Sequence, residues 1–236
     1  MLKVMTWNCN MAFRKKAHFI EQHKPDILIV PECEHPDKLK FPLDRQPNDV
    51  FWYGDNPHKG LGVFSFTDFK IKLLNWHNPD FKWILPLKIT NSVTDYTVFA
   101  IWANHPKDKN FEYVGQIWKA LTHYEAKIRR KNTLFIGDFN SNSIWDKPKR
   151  EGNHSTIVDI LAKKKIHSTY HAYFESQQGN ELHPTFFLYR HQDKPYHLDY
   201  CFASNDLIKK LKKVEVGTFD NWKNASDHVP LIVEFE

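Results

Sequence analysis

The chain has 236 residues, 41% apolar and 15% aromatic, enough for one α/β domain with a sizeable core. A net charge of +5 tilts any partner toward polyanions without deciding the matter. No apolar run approaches the roughly 18 residues of a membrane span, so no membrane association is expected, and nothing implies an obligate protein partner.

MLKVMTWN enters a strand pattern at once, with no basic and then apolar leader. Cys9, Cys33 and Cys201 are odd in number and lack C-x-x-C spacing, which reads as three reduced, mostly buried thiols. A cytoplasmic location is the resulting expectation.

In chain order, Leu2 to Trp7 reads as a strand, Arg14 to His23 as a short helix stopped by Pro25, and Ile27 to Val30 as a buried strand. Val50 to Tyr53, Gly62 to Phe66, Phe69 to Trp76, Phe81 to Ile89 and Tyr96 to Ala103 continue as strands rich in aromatic and β-branched residues. The period changes from Glu112 to Arg130, where Val114, Ile117, Trp118, Leu121 and Ile128 share one helical face. Thr133 to Ile136 is a short buried strand. Ser155 to Lys165 and Asp206 to Lys212 read as helices. Thr185 to Tyr189, Leu198 to Ala203, Val214 to Val216 and Leu231 to Phe235 read as strands. No linker or repeat divides the chain, so residues 1–236 read as one domain. Strands outnumber helices, which predicts an α/β (α+β) sandwich of two packed sheets flanked by helices.

Polar residues fall where apolar strands end. Ile27-Leu28-Ile29-Val30-Pro31 runs into Glu32, and Leu134-Phe135-Ile136 runs into Gly137-Asp138-Phe139-Asn140. Phe99 to Ala103 runs into Asn104-His105, and Asp227-His228 precedes the final strand. Carboxylates gathered at one sheet edge repel one another unless a cation or proton lies between them. Magnesium suits such oxygen donors, with Mn²⁺ able to substitute, whereas zinc would call for His and Cys at ligand spacing.

Six blocks in order carry a resemblance: Thr6-Trp7-Asn8, Pro31-Glu32, Asn104-His105, Gly137-Asp138-Phe139-Asn140, Leu198-Asp199-Tyr200 and Ser226-Asp227-His228-Val229-Pro230-Leu231. Together they resemble the endonuclease/exonuclease/phosphatase superfamily over nearly the whole chain. The resemblance implies a four-layer sandwich of two mixed sheets between helices. It also implies a Mg²⁺-dependent phosphodiesterase, best read as a nuclease that leaves a 5′-phosphate and a 3′-hydroxyl. The alternative is a phosphatase or phosphodiesterase acting on a small or lipid-linked phosphoester.

By the same resemblance, Glu32 is the principal metal ligand, with Asn8 and Asp227 beside it. Asp138 orients or deprotonates the attacking water, and Asn140 bonds a phosphoryl oxygen. His228 is the residue nearest the phosphate, its tautomer fixed by Asp199. His105 matches a second histidine of the deoxyribonuclease and sphingomyelinase branches. Two departures bear on this. Asn10 stands where exonuclease III-like members carry an acid, which favours one metal over two, and His197 stands beside Asp199 where many members have Arg.

Substrate contacts are expected from Tyr196, which opens a segment similar to one lining the abasic-sugar pocket of repair endonucleases. Phe186, Phe187 and Trp222 are candidates for further walls, buried sheet aromatics being the commoner reading of each, and Trp145 is expected as a loop contact. Lys147-Pro148-Lys149-Arg150 closely follows the catalytic turn, so Lys147, Lys149 and Arg150 are expected to grip a phosphate backbone.

Overall fold

The computed structural model describes residues 1–104 and 112–236. In chain order the strands are β1 (Leu2–Thr6), β2 (Ile27–Cys33), β3 (Asp49–Asn56), β4 (Lys59–Ser65), β5 (Lys70–Leu73), β6 (Ile84–Thr90) and β7 (Asp95–Trp102). They continue as β8 (Thr133–Asp138), β9 (Ile166–Ser168), β10 (Phe186–Phe187), β11 (Pro195–Tyr196), β12 (Asp199–Ser204), β13 (Leu211–Val216) and β14 (Leu231–Phe235). The helices are α1 (Val114–His123), α2 (His154–Lys163), α3 (Thr169–Phe174), α4 (Asn205–Ile208) and α5 (Phe219–Trp222).

Two six-stranded sheets form, in the orders β13-β14-β1-β2-β4-β3 and β5-β6-β7-β8-β12-β9, with β10-β11 as a separate ribbon. Each sheet has one parallel pair at its centre, β1 with β2 and β7 with β8, and antiparallel pairs around it. The fold is therefore a mixed α/β sandwich, as expected.

Both faces of the central strands are covered, which explains their unbroken apolar runs. In β2, Ile27 and Ile29 meet Leu134 and Ile136 of β8 in the core between the sheets, while Leu28 and Val30 face outward. The outer face of the second sheet buries Phe99, Phe135 and Phe202 beneath Ile117 and Leu121 of α1 and Ile157 and Leu161 of α2. Phe99 and Phe135 stack at 4.1 Å with planes 3° apart, an arrangement worth about 1 kcal/mol beyond burial.

Four sequence expectations change. Arg14 to His23 is not an α-helix but two 3-10 segments, Phe13–Lys15 and Ala17–His23. Lys16 between them leaves helical geometry and turns its ammonium back onto the Cys9 and Asn10 carbonyls. The helix from Glu112 shortens to α1, followed by a 3-10 turn at Glu125–Lys127. Asp206 to Lys212 is helical only through Ile208, because Leu211 onward pairs with β14. Thr185 to Tyr189 holds two strand residues before a left-handed turn at Tyr189 and Arg190. No described helix is long and apolar enough to cross a membrane.

Candidate active site

The parallel strand pairs end at a common rim. Asn8, just past β1, donates through Nδ2 to Asp138 Oδ2 at 2.9 Å and faces Glu32 Oε1 at 3.5 Å. Asn10 closes the turn: its N–H donates to Asn8 Oδ1, and its Nδ2 donates to Asp227 Oδ1, both at 3.0 Å. Two neutral amides thus lie among three carboxylates. An acid at position 10 would instead confront Asp227.

Glu32 owes its direction to a β-bulge. Pro31 pairs with Leu61 and Cys33 with Gly60, so Glu32 is the extra residue, held at φ +62°. Left-handed backbone is uncommon for a residue other than glycine and marks a site held by its surroundings. Glu32 Oε2 lies 3.1 Å from the Lys59 ammonium.

Asp138 ends β8 and is fully buried. Gly137 before it has φ +145°, and a Cβ there would come within 1.9 Å of the Ile101 carbonyl oxygen, so only glycine lets β7 approach this closely. Asp138 accepts from the N–H and Nδ2 of Asn140 and from Asn8, each at 2.9 Å. Burial, reinforced by the nearby Asp199 charge, raises its carboxyl to about 7 despite His228 and these donors.

His228 is also buried, with Nδ1 donating to Asp199 Oδ2 at 2.8 Å and Nε2 lying 4.0 Å from Asp138 Oδ2. Burial is the largest influence and opposes its charge. Asp199, Asp138 and Asp227 together overcome it and raise the imidazole to about 10. Thr185 Oγ1 accepts from the Leu198 and Asp199 N–H groups, which fixes Asp199. Ser226 donates to the Asn8 carbonyl and accepts from His228 N, while Trp7 Nε1 donates to the His228 carbonyl. Sequence reasoning assigned no role to Thr185, Ser226 or Trp7, although Trp7 and Ser226 lie inside quoted blocks.

His197 does not compete for Asp199. Its Nδ1 donates to the His183 carbonyl at 2.7 Å, and burial lowers it to about 4, so it is neutral. Asn140 was expected on a phosphoryl oxygen. Its Nδ2 bonds both Asp138 and the Ala103 carbonyl and so braces the turn after β8. His105 lies outside the described residues.

Asp138, Asp199 and His228 offer donor atoms within 4.8 Å of one another, a spacing that could hold a metal ion. The His228–Asp199 bond orients the imidazole, and the surrounding carboxylates favour its protonated form, which has no lone pair to give. Glu32, Asp227 and the Asn8 side-chain oxygen Oδ1 suit a hard divalent cation by donor chemistry. Glu32 already accepts a cation there, the Lys59 ammonium.

Of the expected substrate residues, Trp145, Lys147 and Arg150 join Asn140 and Asn142 around a cavity of about 330 Å³. Lys149 is exposed on the same turn and is not among its walls. The Tyr196 ring lies 4.9 Å from Trp145 and 6.5 Å from Phe186, which is 4.7 Å from His228. An aromatic row thus leads from His228 to the cavity. Trp222 is corrected and Phe187 takes the alternative reading of a sheet aromatic: both are buried, Trp222 at 2% exposure with its ring 4.7 Å from Trp7. They support the rim from beneath and present no surface to a ligand.

A search of curated proteins finds no match. Solved structures do match in fold. An AP endonuclease from Archaeoglobus fulgidus shares 19% identity with a TM-score of 0.73, all of both chains being covered. The 3′-5′ exonuclease NExo from Neisseria meningitidis shares 20% at 0.74, again over both whole chains. A Neisseria structure described as the 3′ phosphatase NExo bound to a product DNA hairpin shares 19% at 0.71, also over both whole chains. The family model described as Endonuclease/Exonuclease/phosphatase matches residues 5–228, which include every described residue of the rim. The chain therefore belongs to the endonuclease/exonuclease/phosphatase family, whose members are hydrolases.

Proposed function

We propose that the protein is a Mg²⁺-dependent phosphodiesterase that hydrolyses nucleic acid by in-line attack of water. The observation that carries this reading is the pairing of His228 and Asp138 across 4.0 Å, one raised to about 10 and the other to about 7. Near neutral pH this gives a cationic proton donor facing a carboxylate of suitable basicity.

Asp138 accepts the proton of the attacking water, with Asn8 and Asn140 holding its carboxylate in place. His228 Nε2 donates to a phosphoryl oxygen as charge builds there, and Asp199 keeps the proton on Nδ1 and steadies the imidazolium. Glu32, Asp227 and the Asn8 side-chain oxygen Oδ1 would hold Mg²⁺ or Mn²⁺, which supplies Lewis-acid withdrawal of charge from the phosphate.

Several features support a polymeric substrate. The net charge is positive, the Trp145-Lys147-Arg150 cavity lies beside the catalytic turn, and the aromatic row offers faces to bases. One of the similar structures is described as a 3′-5′ exonuclease and another as a 3′ phosphatase bound to a product DNA hairpin. Three free, buried thiols fit a reducing, cytoplasmic compartment.

The test is cleavage of end-labelled single-stranded, duplex and abasic-site DNA and of RNA, with Mg²⁺ or EDTA, using Asp138→Asn as the blank. Mg²⁺-dependent cutting that the blank lacks is the expected result. Intact polymers beside hydrolysis of a p-nitrophenyl phosphoester or an inositol phosphate would move the assignment to small phosphoesters.

A further inference from the structure

Lys59 belongs to no block of the resemblance, yet its ammonium meets the acid of the rim. It opens β4 where the β2 bulge leaves Glu32 unpaired, and Nζ lies 3.1 Å from Glu32 Oε2. The same ammonium stands 5.1 Å from the ring centroid of Trp102, at the end of β7. The side chain thus spans the seam between the two sheets and stays partly exposed, at 38%. Two neighbouring cations are otherwise engaged. Lys16 bonds the Cys9 and Asn10 carbonyls at 2.7 and 3.2 Å, and Arg14 pairs with buried Glu34.

We propose that Lys59 is a further catalytic residue: its ammonium shares Glu32 with the divalent cation, then turns to a non-bridging oxygen of the scissile phosphate. This rests on Glu32 being the cation's ligand. Without a metal, Glu32 beside Asp138 and Asp227 concentrates negative charge, and the ammonium offsets it. A metal arriving at Glu32 puts two cations on one carboxylate, where they repel at short range. The flexible four-carbon stem lets the head swing. The Trp102 face holds the ammonium nearby, since a cation is attracted to the ring quadrupole. An anionic phosphate at the rim is its new partner, and Lys59 supplies the positive charge that a second metal would bring.

Lys59→Met keeps an apolar stem over Trp102 and removes the charge. Mn²⁺ is titrated into wild type, Lys59→Met and Glu32→Gln without nucleic acid, and turnover is measured at saturating Mg²⁺. Circular dichroism checks that each variant is folded. The expected result for Lys59→Met is Mn²⁺ affinity about fivefold higher with kcat about 100-fold lower. Unchanged or weaker Mn²⁺ binding, or unchanged kcat, overturns the proposal while Glu32→Gln still loses Mn²⁺. Should Glu32→Gln bind Mn²⁺ like wild type, the ligand assignment of Glu32 falls first and this proposal falls with it.

Discussion

The two parallel strand pairs carry the same plan to different ends. Past β1 and β2, Asn8 and Glu32 stand at a rim that is partly open, with Glu32 at 19% exposure and touching a lysine. Past β8, Asp138 is sealed from water together with Asp199 and His228. An open carboxylate suits a hydrated cation that must enter and leave. A sealed one is shifted by desolvation into the range where it can trade protons at neutral pH. Under the proposed function, one architecture used twice serves as a cation-holding half and a proton-handling half, and burial makes the difference.

The strongest test of that division is Asp138→Asn. It should lower kcat about 10,000-fold while leaving Mn²⁺ affinity within about twofold of wild type. A parallel collapse of Mn²⁺ binding in isothermal titration would mean that the two halves act as one. Trp222→Ala should come next, costing about 4 kcal/mol of stability through the cavity left against Trp7. KM for the polymer should stay unchanged at a temperature where the variant is folded. A raised KM would return Trp222 to the substrate path.

Acid should loosen the ground beneath the sealed half. Burial holds His197 at about 4 against an ordinary 6.5, so between those values the unfolded chain binds more protons than the folded one. His197's contribution to stability therefore rises with pH across that window, about 3 kcal/mol of it being lost on acidifying, while Asp138, raised to about 7, contributes in the opposite direction. Urea unfolding of wild type and His197→Gln at pH 7 and pH 4.5 should show a smaller loss in the variant. Equal losses would place the acid sensitivity elsewhere. The smallest effect sharpens the substrate side: Trp145→Ala should raise KM for a single-stranded polymer roughly tenfold and leave a p-nitrophenyl ester untouched. Equal effects on both substrates would remove Trp145 from base stacking.

Much of the rim was legible because its acids and amides directly follow apolar strands, and strand ends of one sheet converge. Asn8, Glu32 and Asp138 follow such strands, Asp227 and His228 precede one, and Asp199 was carried by the resemblance alone. What stayed hidden depends on through-space partners. Lys59 sits in an ordinary hairpin, and only the bulge opposite it brings Glu32 within reach. Thr185 looks like any strand residue until its hydroxyl is found under Asp199. Trp222 reads equally well as a surface wall or a buried prop, since burial follows from the packing of Trp7 and Phe19 around it. The lysines of residues 209–213 suggested a helix, yet Leu211 to Val216 is an edge strand whose lysines discourage further pairing.

The hydrogen bond from Trp7 to His228 spans 221 positions of sequence, and β1 borders β14. During synthesis, then, β1 leaves the ribosome long before its neighbour β14 exists. Asn8 and Glu32 emerge well before Asp227 and His228, so the two halves of the rim meet only after the chain between them has been made. The same delay leaves one edge of β1 unpaired for as long, a period in which a holding chaperone would shield it from other chains.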